Sequence, residues 1–167
     1  EHHNAGRLPE AVTSYRKALA IKPEFAKAHY NLGNALKDQG NLNEAVASHH
    51  KALAIKPDLA EVHYNLGIVL RELGKLDEAV ASYHKALAIK PDFAEAHGDL
   101  GLSLQELGKL DEAVASYHKA LAIDPNYTEA QNNLGIVRVL NRMEKEQDGV
   151  PTFHDNYILN LYTTLNK

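Results

Sequence analysis

The stretch AEVHYNLGIVLRELGKLDEAVASYHKALAIKPDF, residues 60–93, decides the fold. Apolar residues at Val62, Leu66, Val69, Leu70 and Leu73 fall on helical spacing, and Gly74 ends that run as a left-handed C-terminal glycine does. A second helix is predicted from about Leu76 to Ile89, with Asp77 and Glu78 at its positive N-terminal end. Its apolar stripe is Leu76, Ala79, Val80, Tyr83, Ala86 and Leu87. Pro57 ends the preceding helix and presets the turn, and Asp58 is placed to cap the helix that follows. Connections this short force the two helices to pack antiparallel.

The pattern repeats on a 34-residue ruler. Pro23, Pro57, Pro91 and Pro125 keep that interval. Leu-x-Glu-Ala-Val recurs at residues 42–46, 76–80 and 110–114, with Leu8-Pro9-Glu10-Ala11-Val12 as a variant at the start. Self-similarity at this period marks an all-α chain, an α-solenoid of antiparallel helix pairs. Small residues keep register too. Gly33, Gly67, Gly101 and Gly135 lie inside first helices, where each glycine costs about 1 kcal/mol relative to alanine. That repetition implies close approach of a neighbouring helix at all four. Ala45, Ala52, Ala79, Ala86, Ala113 and Ala120 are expected at the same contact.

Composition narrows the function. The chain has 167 residues and a formal net charge of −4, which argues against the basic stripe that nucleic-acid binding needs. It has no cysteine, hence no disulfide and no thiolate metal site. No apolar run is long enough to span a membrane, and the start has no signal-peptide pattern, so a cytoplasmic location is expected. The sequence begins without Met and in mid-unit, which points to a piece of a longer protein.

These residues resemble the tetratricopeptide repeat, a 34-residue helix–turn–helix family. Leu66-Gly67, Ala79, Tyr83, Ala86 and Pro91 match its signature in one unit, and Leu100-Gly101, Ala113, Tyr117, Ala120 and Pro125 in the next. Leu32-Gly33, Ala45, Ala52 and Pro57 match before them, with His49 in place of the aromatic. The family's large aromatic early in the first helix is replaced by His29, His63 and His97. The array is read as residues 1–147: a half unit at 1–25, units at 26–59, 60–93 and 94–127, and a half unit at 128–147. In the last, Arg138 stands where Leu36, Leu70 and Leu104 stood, and Gln147 where alanine is expected. Residues 148–167 read as a break at Gly149–Thr152 followed by a short helix bearing Phe153, Tyr157, Ile158, Leu161, Tyr162 and Leu165. That helix would cap the stack or begin a truncated domain.

The resemblance implies a concave groove lined by first helices. Carried over residue by residue, it presents Lys27, Tyr30, Asn31, Asn34 and Lys37, then Glu61, Tyr64, Asn65, Ile68 and Arg71. Glu95, Gly98, Asp99, Leu102 and Gln105 follow, and then Glu129, Asn132, Asn133 and Ile136. Asn31, Asn65 and Asn133 share one register, with Asp99 in the third unit, which resembles the asparagine ladder of O-linked N-acetylglucosamine transferases. An amide offers both a donor and an acceptor, so it can pair with a peptide bond whatever the side chain beside it. With Glu61, Glu95 and Glu129 along one edge, a neutral or basic peptide is expected. Members that clamp an acidic C-terminal peptide use Lys and Arg where Tyr30, Glu95 and Asp99 stand here, so that clamp is not expected.

Chemistry has little foothold. The histidines recur with the repeat, in one register at His29, His63 and His97 and in another at His50, His84 and His118. Equivalent positions lie about 10 Å apart, whereas zinc ligands must converge within about 2 Å of one ion. No nucleophile with an orienting base and no phosphate loop is visible, so neither a metal, a cofactor nor catalysis is expected. Three readings remain: a non-catalytic scaffold for an extended protein segment, the recognition arm of a larger transferase, and self-association through Leu8, Val12, Tyr15 and Leu19.

Overall fold

A computed structural model describes residues 7–145, all of them helical or in short turns. The helices are α1 (Arg7–Ile21), α2 (Ala26–Asp38), α3 (Leu42–Ile55), α4 (Ala60–Glu72), α5 (Leu76–Ile89), α6 (Ala94–Glu106), α7 (Leu110–Ile123) and α8 (Thr128–Lys145). No strand occurs among the described residues. The fold class is the expected all-α solenoid. The readings of residues 1–6 and of the tail from 146, with its break and short helix, lie outside the described residues.

The chain divides into two compact units between Pro91 and Asp92. In the first, α1 to α5 pack each on the next, and α2 also touches α4. In the second, α6 packs on α7, α7 on α8, and α6 touches α8. The α2–α3, α4–α5 and α6–α7 pairs are the helix pairs of the three whole repeats.

Each pair is closed by the same backbone device. Gly40, Gly74 and Gly108 have φ of 79°, 74° and 74°, a region that L side chains avoid. This lets Gly74 N–H reach the Arg71 carbonyl (2.8 Å) and Lys75 N–H the Leu70 carbonyl (2.9 Å), satisfying two helix-end carbonyls. Arg142 stands one repeat beyond Gly108, and without a glycine there α8 runs on to Lys145.

Helix starts differ from expectation. Leu59, not Asp58, is the N-terminal cap of α4, and no side chain caps it. The Pro57–Asp58 turn puts the Asp58 carboxylate one residue too early, and the Leu59 carbonyl takes the N–H groups of Val62 (3.1 Å) and His63 (3.2 Å). The turn is held from the other side. His63 Nε2 donates to the Pro57 carbonyl (2.8 Å), and His29 Nε2 to that of Pro23 (2.9 Å). Gln131, in the same register of α8, donates to Pro125 (2.7 Å). The residues that replace the family's early aromatic are therefore donors tying a helix to the proline turn before it.

The core is built from the repeated positions. Ala45, Ala52, Ala79, Ala86, Ala113 and Ala120 are fully buried, as are Tyr83 and Tyr117. A Cβ added to Gly67 would stand 2.6 Å from the Tyr83 ring, and one on Gly101 2.8 Å from Tyr117. Gly33 meets His49 in the same way, at 2.6 Å. The close approach is thus by a ring from the second helix rather than by helix backbone. For Gly135, nothing among the described residues lies within 4 Å of an added Cβ. Its ring register falls at residue 151, outside them. Val12 also departs from expectation. It is buried with Leu32, Leu36 and Ala45, and Tyr15 and Leu19 pack against that cluster, so three of the four α1 residues assigned to self-association serve the core.

Candidate interaction face

The candidate residues ride on α2, α4, α6 and α8, the first helices of their repeats. In the first unit Lys27 and Glu61 are exposed, while Tyr30, Asn31, Asn34, Lys37, Tyr64, Asn65, Ile68 and Arg71 are half-buried. α2 and α4 bring two of them together directly: Asn65 Nδ2 donates to the Tyr30 hydroxyl at 2.8 Å. That bond uses one amide hydrogen and leaves the second hydrogen and the carbonyl oxygen of Asn65 for other partners. Asn31 and Asn34 make no side-chain hydrogen bond with another described residue.

The N-terminal ends of α2 and α4 border an open recess of about 790 Å³. Its apolar lining is Phe25, Tyr30, Ile55, Leu59 and Ile89, and Lys27 and Glu61 stand at its edge. Phe25 and Ile89 are both 41 % exposed, unusual for side chains so large. Lys22 sits with its ammonium 5.4 Å from the Phe25 ring centre, within cation–π range. The sequence reading missed this recess. Lys27, Tyr30 and Glu61 were candidates on their helices, but Phe25, Ile55 and Leu59 beside the proline turns were not singled out, although Phe25 and Leu59 share one register.

In the second unit Glu95, Glu129 and Asn132 are exposed and Asp99, Leu102 and Asn133 are half-buried. Asp99, Leu102, Glu129 and Asn133 come together around Tyr127, a residue the sequence reading did not single out. Tyr127 follows Phe25, Leu59 and Phe93 in register, and Gly98 follows Tyr30 and Tyr64. The two changes are complementary. A Cβ on Gly98 would stand 2.7 Å from the Tyr127 ring, so the ring occupies space that a side chain at 98 would need. Burial, then the carboxylates of Asp99, Glu129 and Glu95, push the Tyr127 phenol up to about 12, so it is a neutral hydroxyl at physiological pH.

Three expected groove positions lie inside. Gly98 is covered by Tyr127, and Ile136 is buried. Gln105 is buried because its Oε1 accepts the Tyr117 hydroxyl at 3.2 Å, within the α6–α7 pair. Arg138, in the place of Leu104, turns outward, and its guanidinium donates to His118 Nε2 at 3.0 Å. Among the described residues no three His, Asp or Glu are grouped to hold a metal. No described helix is long and apolar enough to cross a membrane.

Family models of the tetratricopeptide repeat match residues 1–40, 24–92, 64–128 and 99–141. The chain carries tetratricopeptide repeats. Solved structures agree. One described as MamA matches with a TM-score of 0.80 and 26% identity, over 84% of this chain and 82% of that one. YrrB, described as a TPR protein with an unusual peptide-binding site, matches at 0.73 and 27%, over 83% and 72%. The first TPR region of Spaghetti (RPAP3), bound to the HSP90 peptide SRMEEVD, matches at 0.69 and 26%, over 70% and 93%. A comparison with curated proteins finds no match.

Proposed function

We propose that this tetratricopeptide-repeat chain is a non-catalytic scaffold that holds an extended peptide or protein segment against α2, α4, α6 and α8. One observation carries the reading. The second helices barely change, α5 and α7 being identical in sequence and α3 differing from them only at Asn43 and His49, whereas two registers of the first helices vary: Tyr30, Tyr64, Gly98 and Asn132 in one, and Asn34, Ile68, Leu102 and Ile136 in the other. The likeness to YrrB and to peptide-bound Spaghetti supports it.

In this reading Asn31, Asn65 and Asn133 grip peptide bonds of the ligand, each worth about 0.5–1.5 kcal/mol net. Three such bonds alone give binding of roughly millimolar strength or weaker, so Tyr30, Tyr64, Ile68 and Leu102 supply apolar contact. Glu95, Asp99 and Glu129 favour a neutral or basic ligand at the second unit. The assignment resembling the transferase ladder rests on the shared register of the asparagines. A peptide selected on the wild-type protein from a display library, measured by calorimetry, tests it. Asn31→Ala with Asn65→Ala should weaken binding about 5- to 100-fold, with helicity by circular dichroism unchanged. Tyr30→Phe is the control, since it breaks the Asn65–Tyr30 bond while keeping both amides. Equal binding by the double variant refutes the ladder.

A further inference from the structure

His49 fills, in α3, the slot that Tyr83 and Tyr117 fill in α5 and α7. It is 0 % exposed, its ring closes on Gly33, and the Tyr30 ring lies tilted at 6.0 Å. Among the described residues neither Nδ1 nor Nε2 has a hydrogen-bond partner. A neutral imidazole already leaves a donor and a lone pair unanswered in this slot, and a protonated ring would add a charge and a second donor. Burial, then Lys37 on α2, then His50 on its own helix push His49 down to about 4. The other helix packed on α3 is α4, and no charged group on it contributes to that shift.

We propose that the α2–α3 pair is an acid-labile element, in which His49 takes up a proton when the pair opens and cannot do so while it is closed. The repeats built around Tyr83 and Tyr117 carry no such group in the slot. The sign follows from linkage. The closed-state value lies below the open-state one, so the contribution to stability is fully present above about pH 6.5 and is lost as the pH falls toward 4. Tyr30, Asn31 and Asn34 ride on α2, so opening removes one side of the proposed binding face. The acid lability itself does not depend on the peptide reading.

Hydrogen exchange resolved by NMR at pH 7.5 and 5.0 tests it on the whole chain without ligand, with α4–α5 as the internal reference. His29 and His63 make the same bond to a proline carbonyl and so cancel in this comparison. The opening constant of α2–α3 should rise about 30-fold more than that of α4–α5 between the two pH values. His49→Tyr should abolish the excess. Equal shifts of the two pairs, or an excess that survives in His49→Tyr, overturn the proposal. Should that variant not fold, the wild-type ring signal decides: a His49 imidazole neutral down to pH 5 supports it, and a midpoint near 6.5 in the closed protein overturns it.

Discussion

The same register carries different chemistry in the two units. Position 30 is a tyrosine bonded to Asn65, with Leu59 and Phe25 lining the recess beside it. Position 98 is a glycine, and Tyr127, from the turn before α8, lies in the space a side chain there would fill, among Glu95, Asp99 and Glu129. The helix pairs on which these sit are built alike, from fully buried alanines and a ring closed over a glycine. Stacking and the proposed recognition would therefore be written in separate registers, of which the second changes while the first stays constant.

The strongest way to break this comparison is to give the second unit the first unit's residue. Gly98→Tyr drives a side chain into the Tyr127 ring and should destabilise by roughly 2–3 kcal/mol. Adding Tyr127→Leu recreates the Tyr30 and Leu59 combination and should recover most of that loss. A double-mutant cycle by denaturant unfolding reads the coupling, and additive effects would deny that the two positions compensate.

Next in size is Gly67→Ala, which should destabilise by about 1–2 kcal/mol, because the Cβ meets the fully buried Tyr83 ring and overpacking outweighs the gain in helix propensity. A thermal melt of the variant reads it. Ala86→Leu belongs with Gly67→Ala, at about 1–3 kcal/mol, and an unchanged melting temperature would remove it from the interface. The smallest effect is Tyr30→Phe, about 0.5–1.5 kcal/mol for one hydrogen bond.

How far the sequence foretold this varies with the range of the contact. The second helix from Leu76 to Ile89 and the turn at Gly74 follow from periodicity and from glycine's access to positive φ, both local properties, and they stand as expected. The cap at Asp58 fails over a single residue of turn geometry. Gly135 was inferred from register, and the position that would face it, residue 151, lies outside the described residues. Gln105 was carried over among the groove positions that the family resemblance implies. Its burial depends on a hydroxyl twelve residues away, at Tyr117. The candidate positions came as a set from the family resemblance, but their pairings, Tyr30 with Asn65 and Gly98 with Tyr127, join residues about a repeat apart and could not be read from one unit.

The central claim, that first helices recognise and second helices build, is tested most directly by mapping where a bound segment acts. Backbone amide shifts would be recorded on titrating the isotopically labelled protein with a display-selected peptide. The account predicts perturbations concentrated on α2, α4, α6 and α8, centred on Tyr30, Asn65, Asp99 and Asn133. Perturbations concentrated on the outer positions of α3, α5 and α7, with those four amides unmoved, would contradict it.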